Sequence, residues 1–143
     1  MPSYLLPDFT RRLRQRCDTY DIFCGRWSGA HPTSANILAV GTKPDETLLY
    51  VKSRSEPPGF WGLTANRIAE LETSGKRWYV ILLIGSAQTG YVLLSSLVVA
   101  RTSTGAWKLA ADGDHKVHED SDLSSFRCHS SFDSIVAACL PGL

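Results

Sequence analysis

Little in this sequence commits it to a specialised environment. It has only four cysteines, at positions 17, 24, 128 and 139, and no Cys-x-x-Cys pair. Scattered thiols in a chain with enough apolar residues for a core read as reduced, buried side chains, not as a disulfide frame. Neither sign of charge dominates, since 15 Lys and Arg stand against 14 Asp and Glu. There is no global attraction to nucleic acid, and any such binding has to come from local clustering. Long apolar runs are missing as well. Tyr79 to Ile84, Tyr91 to Leu94 and Leu97 to Ala100 are broken by Gly85, Gln88 and Gly90, short of the roughly 18 apolar residues of a membrane span. The opening Met1-Pro2-Ser3-Tyr4-Leu5-Leu6-Pro7-Asp8 has no basic stretch followed by an apolar one, which argues against a secretory signal. The expectation is a cytoplasmic protein with no membrane partner. Glycine-rich phosphate loops of the Walker type, dinucleotide fingerprints and nucleophile elbows are also absent.

What is present is an ordinary globular composition: 43% hydrophobic and 20% charged residues over 143 positions. That supports a real core and one domain over residues 1–143, with no repeat, linker or low-complexity tract. Phe9, Leu13 and Cys17 recur at i, i+4 and i+8, so Pro7 to Thr19 reads as a helix with one buried stripe, and its other face carries Arg11, Arg12, Arg14 and Arg16. Tyr20 to Trp27 and Asn36 to Val40 read as strands. Gly41 to Glu46 suits a hairpin connection, and His31, before Pro32, reads as a turn residue. Thr47 to Ser53 is the next strand, and Glu56-Pro57-Pro58-Gly59 breaks the chain after it. Gly62 to Ser74 fits a helix ended by Gly75. Arg77 to Ile84 has the unbroken apolar character of a central strand, and Gly90 to Ser96 reads as its neighbour. Beyond Thr102 the pattern weakens to a polar, acidic stretch and a short terminal helix over Phe132 to Leu140. Helices and strands in this mixed order predict an α/β or α+β fold, a mixed central sheet flanked by helices.

Asn36 to Lys52 is the stretch with chemical content. A strand, a short turn and a second strand closed by Tyr50-Val51-Lys52 resemble the core of the PD-(D/E)XK nuclease superfamily, the restriction-endonuclease-like nucleases. In that family an acidic residue opens one strand and a Glu-x-Lys tripeptide closes the next. The resemblance extends over the preceding helix and strand and the following helix and strand, about two thirds of the chain. It implies that Lys52 is the family lysine, that Asn36 stands at the metal-binding aspartate and that Tyr50 stands at the glutamate. Two carboxylates would hold Mg²⁺ or Mn²⁺ on the scissile phosphate while the lysine orients the attacking water. An amide and a phenol are poor ligands for such a cation. Catalysis then needs a relocated carboxylate, either Glu70 or Glu72 in the following helix, which a spacing of two puts on different faces, or Asp45 or Glu46 in the turn before the lysine strand.

Lys52 to Arg67 gathers cations, hydroxyls and two adjacent aromatics in what reads as a stiff loop leading into a helix. Arg54, Phe60, Trp61, Asn66 and Arg67, joined by the arginines of the first helix, are candidates for a nucleic-acid-binding face. The alternative is that Phe60 and Trp61 cover a sheet edge. His115, His118, Cys128 and His129 are candidate zinc ligands whose spacing matches no closed structural site. The expectation is a nuclease-like protein, catalytically impaired, that binds nucleic acid (DNA before RNA) or a protein partner, such as a second copy of itself, within a DNA-processing or defence assembly. The alternatives are an active metal-dependent endonuclease using Lys52 with relocated ligands, and a protein–protein adaptor anchored on Phe60 and Trp61.

Overall fold

The computed structural model describes residues 4–29, 36–42 and 45–143; His31 and the Lys43 and Pro44 of the expected hairpin turn lie outside them. Helix α1, Leu5–Thr19, buries Phe9, Leu13 and Cys17 as their spacing predicts. A five-stranded sheet follows in the order β1-β2-β3-β5-β6. Cys24–Arg26 (β1), Ile37–Val40 (β2) and Thr47–Arg54 (β3) form an antiparallel meander. Helix α2, Ala65–Thr73, carries the chain across to β5, Arg77–Ile84, which runs parallel to β3, and β6, Gly90–Leu94, returns antiparallel beside β5. Between β3 and α2 the chain forms β4, Phe60–Thr64, which leaves the main sheet and pairs with β7, Asp114–His118, in a two-stranded ribbon. Helices α3, Ser95–Ser103, α4, Glu119–Asp122, and α5, Phe132–Cys139, complete the chain. Among the described residues, no helix is long and apolar enough to cross a membrane.

Side chains alternate along each strand, so the sheet has two buried faces. On one, Leu38, Leu49, Val51, Ile81 and Leu83 meet α1 and the α5 residues Phe132, Ile135 and Val136. On the other, Ile37, Leu48, Tyr50, Val80 and Leu82 meet α2, α3 and the ribbon through Ile68, Leu71, Val98, Trp61, Leu63 and Val117. Cover on both faces is why β3 and β5 read as unbroken apolar runs.

Several boundaries differ from the sequence reading, each for a local reason. The strand expected from Tyr20 begins only at Cys24, because the backbone N–H groups of Tyr20 and Ile22 donate to the Cys17 carbonyl and Asp21 takes a positive φ of 55°. The helix expected from Gly62 begins at Ala65, because Phe60 to Thr64 find a partner strand more than fifty residues later. The strand expected to Ser96 ends at Leu94, and Ser95 opens α3. Gly75, with φ 72°, does follow the end of α2.

Candidate functional site

Lys52 shares its side of β3 with Leu48 and Tyr50, so it leaves the sheet on the face covered by α2 and the ribbon, and it is half-buried there. Its charged neighbours are Asp114 and Lys116 of β7. Burial pulls the Lys52 ammonium below the ordinary lysine range; Asp114 opposes this and Lys116 adds to it. Neither neighbour belongs to the sequence-derived site. Asp114 falls in the polar, acidic stretch beyond Thr102, and only the β4–β7 register carries it to Lys52. That register pairs Asp114 with Thr64 and Lys116 with Gly62. A Cβ built on Gly62 would lie 2.6 Å from Asp114 Oδ2, so the carboxylate occupies the space that glycine leaves open.

Tyr50 is 1% exposed and its hydroxyl accepts a hydrogen bond from the Thr64 N–H at 3.1 Å. Burial raises its pKa, with the Thr64 hydrogen bonds opposing, so the phenol stays neutral. It is a strut between β3 and the start of α2, buried away from solvent. Asn36 departs further from the expected role. Its carbonyl accepts from the Val51 N–H at 2.9 Å, and the ladder pairs Ile37 with Tyr50. Residues paired across a ladder share a face, and Val51 faces α1. Register therefore puts Asn36 on the side opposite Lys52, and the position facing Tyr50 belongs to an alkyl side chain, Ile37. Glu70 accepts from Arg67 Nε at 2.5 Å, one turn earlier on α2. Glu46 is buried and paired with Lys76 at 3.1 Å.

These residues do not suit the divalent cation that the family resemblance implies. Mg²⁺ and Mn²⁺ want converging oxygen ligands. The surroundings of Lys52 offer a second ammonium, a buried phenol and one carboxylate, Asp114, while Glu70 is ion-paired with Arg67 on α2. Among the described residues there is no group of three or more His, Cys, Asp and Glu side chains placed to hold a metal. The candidate histidine rings have separate partners: His115 Nδ1 and the Trp107 carbonyl at 2.9 Å, His118 Nδ1 and Asp122 Oδ2 at 3.8 Å, and His129 Nδ1 and Ser134 Oγ at 2.6 Å. Cys128 lies beside the Tyr91 hydroxyl instead.

The expected nucleic-acid face divides. Trp61 is 2% exposed, donates its indole N–H to the Leu83 carbonyl at 3.2 Å and meets Tyr91 edge to face. It is core, because its parity in β4 turns it inward beside Leu63. Phe60, one residue earlier, points out. The α1 arginines lie across the sheet from Lys52. Arg11 and Arg12 both pair with Asp8, at 2.5 and 3.3 Å, Arg14 is exposed, and Arg16 binds Asp133 and the Leu143 carbonyl. Arg54 and Asn66 are exposed and Arg67 half-buried, on the Lys52 side of the molecule at the end of β3 and the start of α2.

Helix, three-strand meander, crossover helix and a further sheet strand parallel to the third, with Lys52 near the end of that third strand, make a mixed central sheet flanked by helices. The chain is similar to a solved structure of Hjc, a Holliday junction resolvase from the archaeal hyperthermophile Archaeoglobus fulgidus, at 18% identity and a TM-score of 0.48 over 79% of this chain and 88% of that one. No family model and no curated protein matches the sequence.

Proposed function

We propose that this protein is a nuclease-fold subunit that holds a nucleic-acid backbone at Lys52 and Lys116 without cutting it, DNA before RNA, as the binding component of a DNA-processing or defence assembly. The observation that carries this reading is the charge at the end of β3. A half-buried lysine there has a second lysine for a neighbour, where a cutting site of this architecture needs paired carboxylates. With Asp114 beside Lys52 and Asp112 paired to Lys116 at 2.6 Å, the two ammonium groups still offer N–H donors to a phosphate oxyanion, while among the described residues no group of three or more His, Cys, Asp and Glu side chains is placed to hold a metal. The adaptor alternative loses one of its two anchors, since Trp61 is core.

Two measurements test the reading. Duplex and single-stranded substrates incubated with Mg²⁺ or Mn²⁺ should stay intact. Binding should weaken with rising salt, and Lys52→Ala should reduce affinity while flattening the slope of log K against log salt by about one. Metal-dependent cleavage that disappears in Lys52→Ala would overturn it in favour of a working nuclease.

A further inference from the structure

The outward face of the β4–β7 ribbon carries Asp114 and Lys116, the charged neighbours of Lys52. Thr64 and Asp114, then Gly62 and Lys116, then Phe60 and His118 form three successive pairs along it. At the far end Phe60 is 37% exposed, with its ring edge-to-face on His118 at 4.6 Å and 70°. The Lys116 ammonium stands 5.9 Å from the centre of the Phe60 ring. Next to this pair a cleft of about 150 Å³ is lined by Lys108, Lys116, His118 and Asp122, among others. The aromatic end is fixed from below. The Gly59 N–H donates to Glu119 Oε1 at 2.8 Å, the Glu119 N–H donates back to the Gly59 carbonyl at 2.9 Å, and the Tyr91 hydroxyl donates to Glu119 Oε2 at 2.6 Å.

We infer that this ribbon face is a stacking platform for an unpaired nucleobase, and that the ligand is single-stranded nucleic acid; this rests on the backbone-binding reading of Lys52. Charge decides between single strand and duplex. Duplex affinity comes mainly from neutralising closely spaced phosphates. Here the cations share the face with acids: Asp112 holds Lys116 at 2.6 Å, Asp122 sits below His118, and Asp114 lies beside Lys52. With a formal charge of +1 over the whole chain, the surface is poorly suited to a duplex. Single strands instead draw much of their affinity from bases stacked on aromatic rings beside a few cations, and Phe60, His118 and Lys116 supply that combination on one face, with Lys52 a charged neighbour of Lys116.

Fluorescence anisotropy with a short labelled oligothymidine strand, and with the duplex it forms with oligoadenine, separates the possibilities. The native protein should bind the single strand more tightly. Phe60→Ala should weaken single-strand binding about tenfold with little effect on the duplex, and Phe60→Trp should restore it. Lys52→Ala should weaken both. Because Phe60 points outward, an unchanged thermal midpoint will show that Phe60→Ala still folds. Tighter duplex binding by the native protein, or single-strand binding untouched by Phe60→Ala while Lys52→Ala still weakens it, overturns the platform and leaves the backbone reading standing. Absence of binding to either ligand removes the backbone reading, and the platform with it.

Discussion

Lys52, Tyr50 and Asn36 show how one residue of displacement decides chemistry in a sheet. The lysine was legible, because a strand-closing cation is visible in the sequence. Asn36 was not, because its face depends on a register that no local signal states, and Ile37 holds the position opposite Tyr50. Tyr50 holds the chain together instead of supplying a ligand. Tyr50→Phe removes the acceptor of the Thr64 N–H and should cost about 1–2 kcal/mol in urea unfolding, with no effect on any metal response. His129 gives a pH signature. It is 8% exposed, and burial first, then Arg127, lowers its pKa below the ordinary 6.5. The unfolded chain therefore takes up a proton at a higher pH than the folded one, so stability falls as pH drops below about 6.5 and levels off once pH is under the folded value. Stability profiles of the native protein and His129→Gln, compared between pH 7 and pH 5, should show a shallower slope in the variant.

Among the elements, α1, β5 and α5 could be read almost to their ends, because period and composition agree: Phe9, Leu13 and Cys17 at helical spacing, and RWYVILLI as a strand covered on both faces. The ribbon could not. Phe60 to Thr64 looked like the approach to a helix, and Asp114 to His118 has a polar sequence that becomes a strand only by pairing. That is why Asp114 and Lys116 were missed. A buried ion pair offers a test at this scale. Glu46 opens the β3 segment at 5% exposure and Lys76, just before β5, is its partner at 3.1 Å. Lys76→Met strands a buried carboxylate and should destabilise by about 3 kcal/mol, measured by chemical denaturation. Lys76→Arg should recover most of that loss.

Across the whole molecule the sheet separates two jobs. The α1 and α5 face is packing: Ile135 is fully buried among Phe9, Leu13 and Val136. The opposite face carries Lys52 and the ribbon. Ile135→Ala should cost about 2–5 kcal/mol of stability and leave nucleic-acid affinity within twofold of native, measured at a temperature where both proteins are folded. Loss of affinity in parallel with stability would mean that the two faces are coupled. Both cores are built on one sheet, since β3 and β5 contribute to each.

The late return of β7 to β4 also governs the order in which the molecule can be made. Residues 65–113 separate the paired strands, and closing a loop of that size comes late and slowly compared with the local turns of the meander. During synthesis β4 therefore emerges with Trp61 and Leu63 exposed and its edge open, and it waits for α2, β5, β6 and α3 before its partner arrives. An open strand edge accepts any strand offered to it. A ribosome stalled after α3, or a chain cut there, would present that edge to a neighbouring copy and accept a strand from it.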